Sequence, residues 1–233
     1  MNAERSVVFV VDDDQRVRDA LSSLLASAGR DVAVFPSAAA FLAADKPDVA
    51  ACLVLDLELP DENGLELQKA LADREAPPIV FITGYGDIPS SVKAMKAGAV
   101  EFLSKPFGDE ELLSAIDVAI ALDRKVRRER SERSEQKQRY ERLTPRERQV
   151  LPFVVAGFAN KQTAAELGTS EVTIGVHRGQ IMRKLGAKSL ADLVRLADKL
   201  GIGQHAESSP RSPSRPNDSR PPKSSSPENK GAP

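Results

Sequence analysis

The sequence predicts an α/β fold built on a parallel sheet, followed by a smaller all-α domain. Through about residue 120, short apolar runs alternate with amphipathic segments. The runs are apolar throughout, as expected for parallel strands that are buried on both faces. Right-handed crossovers between such strands give an open α/β fold with helices on both sides of the sheet. Residues 142–200 instead favour short, capped helices alone.

Five strands alternate with five helices in the predicted α/β domain. The strands are expected at residues 6–11, 31–35, 51–56, 78–83 and 100–104. The helices are expected at residues 17–29, 37–45, 64–73 and 89–98, and from Asp109 onward. Gly29 is placed to end the first helix, and Ser37 is placed to cap the second.

The segment "LDRKVRRERSERSEQKQRYE", residues 122–141, is nearly all charged or polar. Its residues are good helix formers, and Glu129 lies four residues before Arg133, at helical pairing distance. It is either a solvated extension of the fifth helix or a charged linker with fractional helicity. The Ser- and Pro-rich end is expected to be disordered. We therefore delimit an α/β domain, a linker, a helical domain and a tail at residues 5–120, 121–141, 142–203 and 204–233.

The charge is divided unevenly along the chain. Residues 1–118 contain 10 basic and 21 acidic residues, whereas residues 142–200 contain 10 basic and 5 acidic residues. An acidic half joined to a basic half indicates two functions, the second on nucleic acid. The single Cys52 excludes an intrachain disulfide and indicates a reducing compartment. Without a membrane-length apolar run or a signal peptide, we expect a cytoplasmic protein with no membrane partner.

Polar residues stand where the predicted strands end. Asp12 and Asp13 follow the first strand, Asp56 ends the third, Thr83 ends the fourth and Lys105 follows the fifth. In a doubly wound sheet these carboxyl ends converge on one rim, where ligands bind. Three carboxylates in one place repel one another unless a cation is bound, and oxygen ligands suit Mg²⁺.

Such a rim can support phosphoryl transfer. A carboxylate such as Asp56 can attack a phosphoryl group and form an aspartyl phosphate. The transfer requires charge neutralisation and positioning, which Mg²⁺, Lys105 and the Thr83 hydroxyl can provide. Pro106 follows Lys105, so that peptide bond can be cis.

The motifs "VVDDD", "LVLDLELPDENG", "FITGYGD" and "AMKAGAVEFLSKPF" resemble the receiver domain of two-component response regulators over residues 5–120. The resemblance implies a flavodoxin-like, five-stranded parallel sheet of order 2-1-3-4-5. It also implies that Asp56 is the phosphoryl acceptor and that Thr83 and Phe102 form the switch. Lys105 corresponds to the family's lysine. The metal ligands would come from Asp12, Asp13, Asp56 and the backbone carbonyl of Glu58.

Two positions beside the expected phosphoryl group depart from common patterns. Glu58 lies two residues after Asp56, and Tyr85 lies two residues after Thr83. A Glu side chain repels a phosphate, whereas a Tyr side chain can shield it from water. Because these influences oppose each other, the sequence leaves the lifetime of the phosphoryl group open.

The basic half contains clear signals for the starts and ends of helices. Thr144, Pro145 and Glu147 form a predicted capping box with Pro at the first helical position. Ser170 caps a later helix, which follows a short helix closed by Gly168. This arrangement is typical of a helix-turn-helix. The words "LTPRERQVL", "GFANKQTAAELGTSEVTIGVH" and "IMRKLGAKS" resemble the LuxR/FixJ-type DNA-binding domain of four helices, whose third helix is the recognition helix.

Seven residues of this domain are expected to contact DNA. They are Lys161, Thr173, Val176, His177, Arg178, Arg183 and Lys184. Gly175 and Gly179 also lie on the expected recognition helix, where related proteins often have long polar side chains. One hypothesis is that they let the backbone approach the groove closely while Val176 and Arg178 contact base edges. The alternative is drift in a domain that binds DNA weakly. Thr163 replaces a bulkier aliphatic residue, which predicts looser packing of the short helix.

The combined resemblance implies a phosphorylation-dependent transcriptional regulator. Its expected partners are a sensor histidine kinase, double-stranded promoter DNA, RNA polymerase and a second copy of the chain. The homodimer would form on phosphorylation through the face around residues 88–120. We expect no turnover enzyme, although a receiver accepts phosphate from a kinase and can autodephosphorylate. The alternatives are a haloacid-dehalogenase-type phosphatase, which also uses an Asp nucleophile and Mg²⁺, and a phosphate sink with a vestigial DNA-binding domain.

Overall fold

The computed structural model describes residues 5–60, 63–72, 75–84 and 88–202. Tyr85 and the tail from residue 204 lie outside these ranges, so the predictions made for them are not addressed by the structure. The chain divides into two compact units, with the boundary between Glu135 and Gln136. Each unit has its own hydrophobic core.

The first unit contains a parallel sheet, which has five strands within the described residues, in the order β2-β1-β3-β4-β5. This order confirms the predicted topology. The strands are β1 Ser6–Val11, β2 Asp31–Phe35, β3 Ala50–Asp56, β4 Ile79–Thr83 and β5 Glu101–Ser104. Strand β3 is central, and every one of its residues is buried. Its continuous apolar run is therefore explained by burial on both faces.

Helices connect the strands and cover both faces of the sheet. They are α1 Gln15–Ser27, α2 Ala38–Ala43, α3 Gly64–Leu71, α4 Ile88–Lys96 and α5 Asp109–Glu141. Helix α1 begins two residues before its predicted start because the Asp14 side chain accepts a hydrogen bond from the Arg16 N–H and caps the helix there. Ser37 caps α2 as predicted.

The two faces of the sheet form separate apolar cores. On one face, Leu53 and Phe81 pack with Phe41 of α2 and Leu67 of α3. On the other face, Val54 and Ile82 pack with residues of α1 and α5. Alternate side chains of a strand point to opposite faces, so this arrangement follows directly from the strand geometry. The sheet is therefore doubly wound, which is the condition for its carboxyl ends to form one rim.

Helix α5 is a single helix of 33 residues, so the charged segment continues it as a helical rod. Part of this extension is fastened to the sheet. The Asp123 carboxylate accepts hydrogen bonds of 2.8 Å from the Ala51 N–H and of 2.8 Å from Arg127 Nε. Arg127 also pairs with Asp48. The carboxylate thus satisfies a backbone donor at the start of β3.

The second unit contains four helices within the described residues, namely α6 Pro145–Val155, α7 Asn160–Leu167, α8 Glu171–Leu185 and α9 Leu190–Lys199. The predicted capping box is present at the start of α6, where Thr144 and Glu147 each accept the other's backbone N–H. Leu151, Ile174 and Leu193 are fully buried in the core of this unit. Within the described parts of the chain, no helix has the length and apolar character needed to cross a membrane.

Candidate functional site

The carboxyl ends of β1 and β3 bring three carboxylates together. Asp12 directly follows β1, and Asp56 is the last residue of β3. Oxygen atoms of Asp12, Asp13 and Asp56 all lie within 4.8 Å of one another. Asp12 and Asp56 are buried, whereas Asp13 is exposed. The structure therefore assembles the acidic rim that the strand ends predicted.

Lys105 lies between two of these carboxylates. Its Nζ is 2.7 Å from Asp12 Oδ2 and 2.8 Å from Asp56 Oδ2. Its backbone N–H donates to the carbonyl of Thr83 at 2.7 Å, and its peptide bond with Pro106 is cis. The lysine thus neutralises part of the negative charge on the rim.

Burial and pairing compete in setting the charge of this site. Burial raises the pKa of Asp12, although Lys105 acts to lower it. Burial also acts to lower the pKa of Lys105, but its hydrogen bonds to Asp12 and Asp56 outweigh that effect and the pKa is raised. Lys105 therefore stays positively charged at neutral pH.

Backbone hydrogen bonds orient the same carboxylates. Asp56 Oδ1 accepts the Glu58 N–H at 3.0 Å, and Asp12 Oδ1 accepts the Asp14 N–H at 2.8 Å. Each carboxylate thus has one oxygen bonded to a backbone N–H and the other bonded to Lys105. Such bonds restrict each carboxyl group to one rotamer, so the reacting oxygens are held in place.

Arg18 is a supporting residue that sequence reasoning missed. Its Nη1 donates to the carbonyl of Asp12 at 2.7 Å and to that of Asp13 at 2.8 Å. It lies one helical turn after the Asp14 cap, a spacing that could have drawn attention to it. Arg18 ties helix α1 to the acidic loop.

The expected switch residues lie beside the rim. Thr83 is the last residue of β4 and is fully buried. Phe102 lies on β5 and is partly buried, with its ring centroid 6.2 Å from that of Phe81. Glu58 is exposed next to the rim. The geometry therefore places Thr83 on β4, which is next to β3, and Phe102 on β5, which is next to β4 at the edge of the sheet.

Gly64 makes a close approach that the sequence did not reveal. A Cβ atom at this position would lie 2.6 Å from the backbone oxygen of Asp56. The Gly64 N–H also donates to the carbonyl of Leu57 at 2.9 Å. Only a residue without a side chain fits here, because the obstructing atom belongs to the backbone.

The acidic rim fits a hard divalent cation. Asp12, Asp13 and Asp56 offer only oxygen ligands, and two of these residues are buried. Mg²⁺ prefers carboxylate and water oxygens and is bound by few protein ligands. These residues therefore suit Mg²⁺ better than a metal that prefers nitrogen or sulfur.

Helix α8 is the third helix of the second unit and the expected recognition helix. Ser170 caps its start, and its end is closed by Gly186 with a φ of 72°. Several polar residues expected to contact DNA have partners within the unit. Thr173 Oγ1 lies 2.7 Å from Ser170 Oγ, and Arg178 Nη1 donates to the carbonyl of Phe158 at 2.9 Å. These side chains help to hold the helix in its domain.

The two basic residues at the end of α8 are also paired. Lys184 Nζ lies 2.7 Å from Glu147 Oε2, and Arg183 is hydrogen-bonded to Gln180. Burial acts to raise the pKa of Glu147, but the hydrogen bonds from Lys184 and from the Thr144 N–H lower it. Lys184 therefore joins α8 to α6, a role that its sequence position did not predict.

Part of the outward face of α8 is apolar. Val172 is 78% exposed and Val176 is 57% exposed. Sequence reasoning identified Val176 but missed Val172. A Cβ at Gly175 would meet only Asn160 Nδ2, at 3.5 Å, and a Cβ at Gly179 would meet nothing within 4 Å. Packing within the unit therefore requires neither glycine.

The remaining expected DNA contacts differ in exposure. Lys161 is exposed on α7, and His177 is partly buried on α8.

Thr163 on α7 is fully buried, and its hydroxyl donates to the carbonyl of Ala159 at 3.1 Å. The Thr163 hydroxyl, which stands where an aliphatic side chain was expected, is therefore hydrogen-bonded.

An α/β unit with an acidic rim, followed by a helical unit with an exposed third helix, defines a receiver joined to a DNA-binding domain. Residues 8–117 match the family model "Response regulator receiver domain", and residues 141–197 match "Bacterial regulatory proteins, luxR family". The chain belongs to the two-component response regulators of the FixJ/LuxR class, which act as transcription regulators.

Relatives match nearly the whole length of both domains. Nodulation protein W of Bradyrhizobium diazoefficiens is 48% identical over 205 residues, covering 87% of this chain and 90% of that protein. Response regulator protein TmoT of Ectopseudomonas mendocina is 49% identical over 201 residues, covering 86% and 91%. The solved structure of response regulator StyR has a TM-score of 0.77 at 48% identity, covering 84% of this chain and 99% of that one. These matches assign the chain to a family of regulators rather than of phosphatases.

Proposed function

We propose that Asp56 accepts a phosphoryl group from a sensor histidine kinase and thereby controls DNA binding by the helical unit. The observation that carries this proposal is the position of the Asp56 carboxylate. It ends a buried strand, lies with Asp12 and Asp13, and has Lys105 2.8 Å from its Oδ2. A carboxylate is a weak nucleophile, so transfer to it depends on positioning and charge neutralisation.

The transfer forms a bond between an Asp56 carboxylate oxygen and phosphorus and breaks the bond between phosphorus and the histidine nitrogen of the kinase. Lys105 is placed to stabilise negative charge on the incoming phosphoryl oxygens. The Glu58 N–H holds Asp56 Oδ1 and fixes the orientation of the carboxylate. Asp12, Asp13, Asp56 and the Glu58 carbonyl are the proposed Mg²⁺ ligands. Bound Mg²⁺ would supply further neutralisation of the phosphoryl charge.

The switch residues are proposed to transmit the modification. Phosphorylation adds negative charge and three acceptor oxygens at the rim. The Thr83 hydroxyl is proposed to bond one of these oxygens, and Phe102 to move with it. The face around residues 88–120 then forms a homodimer. Val92 and Met95 on α4 are each 44% exposed, which gives this face apolar contact area.

The helical unit is proposed to bind promoter DNA through α8. Homodimerisation would bring two copies of α8 to half-sites about one DNA turn apart. Lys161, Arg178, Arg183 and Lys184 are the proposed phosphate contacts, and Lys184 is in addition held by its ion pair with Glu147. RNA polymerase is the proposed downstream partner. Because promoter DNA lies in the cytoplasm of a bacterium, the proposal places the protein there.

The proposal is tested with the full chain, acetyl phosphate and Mg²⁺. Mass spectrometry is expected to detect one phosphoryl group per chain, and peptide mapping to place it on Asp56. The Asp56→Asn variant is expected to remain unmodified, whereas the matched Asp117→Asn variant, at an exposed position on α5, is modified normally. Dimerisation is followed by analytical ultracentrifugation, and DNA is selected from a randomised duplex pool.

Phosphorylation that leaves dimerisation and DNA selection unchanged would contradict the proposed switch. Phosphorylation without any selected DNA sequence would instead support a phosphate sink with a vestigial DNA-binding domain. Repeated release of phosphate from small phosphomonoesters would indicate an enzyme of the phosphatase class.

A further inference from the structure

One face of α8 carries a stripe of two valines and two glycines, of which Gly175 is partly buried. Val172, Gly175, Val176 and Gly179 are spaced at i, i+3, i+4 and i+7, so they share one face of the helix. Val172 has the largest exposed fraction among the exposed large apolar residues of the described chain, at 78%, and Val176 is 57% exposed. A recognition helix thus presents an apolar, short-side-chain stripe where polar base contacts are usually expected.

Two polar neighbours of the stripe are bonded within the helical unit. The Thr173 hydroxyl is bonded to Ser170, and the Arg178 guanidinium is bonded to the carbonyl of Phe158. These bonds hold both side chains in one orientation, so direct polar contact with bases requires either a base within reach of that orientation or a change of it. The valines need no such change, because their methyl groups are already exposed.

The fold alone does not explain the two glycines. Each costs about 0.5–1 kcal/mol relative to alanine in a helix. Alanine fits both positions, since a Cβ would meet only the Asn160 amide at Gly175 and open space at Gly179. The lack of side chains at Gly175 and Gly179 therefore favours a binding partner that approaches α8 closely from outside the unit.

We propose that Val172 and Val176 recognise thymine 5-methyl groups in the major groove, with Gly175 and Gly179 allowing close approach of the helix backbone. This inference rests on the proposed DNA-binding function and specifies what α8 reads. The thymine methyl is the apolar group that the bases display in the major groove, and apolar side chains are its natural contacts. A helix with short side chains can lie deeper in the groove than one with long side chains.

DNA fits this stripe better than a second copy of the chain. Two valines and two glycines cannot supply the roughly 600 Å² per partner that even a small stable protein interface buries. The surrounding charge also favours DNA, since residues 142–200 have a net charge of +5. Exposed Lys161 and Arg183 belong to this basic unit. The stripe is therefore an apolar contact on a basic surface.

The spacing of the valines limits where the thymines lie. Four residues of α-helix rise about 6 Å, which is close to two base-pair steps of about 3.4 Å each. The two recognised thymines are therefore expected within about two base-pair steps of each other, on either strand of one half-site.

The test uses the full-length protein treated with acetyl phosphate and Mg²⁺. A duplex selected from a randomised pool by the wild-type protein serves as the probe. Each thymine is then replaced by deoxyuridine, which removes the 5-methyl group and preserves base pairing. At two positions per half-site, fluorescence anisotropy is expected to show about fourfold weaker binding, the equivalent of one buried methyl group.

The variants connect each methyl group to its valine. Val172→Ala is expected to abolish the effect of deoxyuridine at one position, and Val176→Ala at the other. The matched control Val34→Ala, at an exposed position on β2 in the other unit, retains both effects. Gly179→Ala is expected to raise thermal stability and yet weaken binding to the selected duplex at least threefold.

The outcomes separate this inference from the proposed function. If no sequence is enriched by the phosphorylated protein, DNA recognition itself fails. If a sequence is enriched but deoxyuridine has no effect at any position, the methyl recognition is wrong and DNA binding stands. If Val172→Ala abolishes self-association and leaves the deoxyuridine effects intact, the stripe is a dimer contact and the inference is overturned.

Discussion

The Asp123 carboxylate accepts a hydrogen bond from the Ala51 backbone N–H at 2.8 Å and thereby fastens helix α5 to the start of strand β3. Both residues are buried. The opposite end of the same strand is Asp56, which Lys105 holds at 2.8 Å. The strand that carries the proposed phosphoryl acceptor is therefore held by a charged contact at each end.

Removal of the Asp123 carboxylate is expected to destabilise the receiver unit. Asp123→Ala leaves the Ala51 N–H unpaired in the interior and removes one of the two carboxylate partners of Arg127, which keeps Asp48 and is partly exposed. We expect a loss of about 2 kcal/mol in the free energy of unfolding, measured by urea denaturation of the full chain.

The control for this prediction is Asp117→Ala on the same helix. Asp117 pairs with Arg30 but is 56% exposed, so its loss is expected to cost less than about 1 kcal/mol. Equal destabilisation by the two substitutions would show that the buried contact with Ala51 contributes no more to the free energy of unfolding than an exposed ion pair does.

Substitution of Gly64 is expected to displace the loop beside Asp56. In Gly64→Ala the new Cβ would lie 2.6 Å from the Asp56 backbone oxygen, so the backbone must shift. We expect a loss of about 1–3 kcal/mol in stability and slower phosphorylation by acetyl phosphate. The measurements are urea denaturation and the rate of mass increase.

Gly179→Ala provides the comparison, because a Cβ there meets nothing within 4 Å. It is expected to stabilise the chain by about 0.5–1 kcal/mol. A Gly64→Ala variant that is equally stable and phosphorylated at the normal rate would contradict the close approach.

Loss of the lysine at the rim is expected to strengthen cation binding. Lys105→Met removes a positive charge that lies 2.7 Å from Asp12 and 2.8 Å from Asp56. Because the negative charge of the three carboxylates is then no longer offset by the lysine, Mg²⁺ is expected to bind at least about fivefold more tightly, after allowance for solvent screening. Isothermal titration calorimetry measures this, and phosphorylation by acetyl phosphate is expected to become slower.

Asp13→Asn is the opposite test at the same rim, since it removes one of the proposed metal ligands. It is expected to weaken Mg²⁺ binding. Tighter binding in Asp13→Asn, or weaker binding in Lys105→Met, would contradict the proposed cation site.

The ion pair between Glu147 and Lys184 is expected to make the helical unit sensitive to acid. The pKa of Glu147 is lowered in the folded chain despite burial, because Lys184 and the Thr144 N–H bond its carboxylate. The stability that it contributes is therefore present above its ordinary pKa of 4.5 and is lost as the pH falls through the lower, folded value.

Glu147→Gln is expected to lower stability by about 1–2 kcal/mol at neutral pH, since the neutral side chain bonds Lys184 less strongly. It should also lose less stability than the wild type when the pH is lowered from 5 by about one to two units. Hydrogen exchange of α6 and α8, corrected for intrinsic rates, measures both effects. The exposed Glu166→Gln control is expected to change neither, and an unaltered acid response in Glu147→Gln would contradict the prediction.

Much of both units could be predicted from the sequence because the signals are local. The apolar runs gave the strands, and the caps at Ser37 and Thr144 marked helix starts. The order of the strands followed from the resemblance of its motifs to a known family, and the sheet confirms it. The converging strand ends then predicted the rim of Asp12, Asp13 and Asp56.

The contacts that were missed connect residues far apart in the chain. Ala51 and Asp123 are 72 positions apart, and Glu147 and Lys184 are 37 apart. No periodic pattern links such residues, so their pairing follows only from how the helices pack. Val172 was missed for a related reason, because its exposure depends on which side of α8 faces the core.

The sequence by itself determined the fold class, the two-domain order and the residue types available for phosphoryl chemistry, because hydrophobic periodicity and capping act over a few residues. The tertiary structure decided which charges are free to act. It committed Lys184 to Glu147 and Asp123 to Ala51, and it left Val172 and Val176 facing outward. Pairing and exposure depend on distances in space, and only the packed helices and strands set those distances.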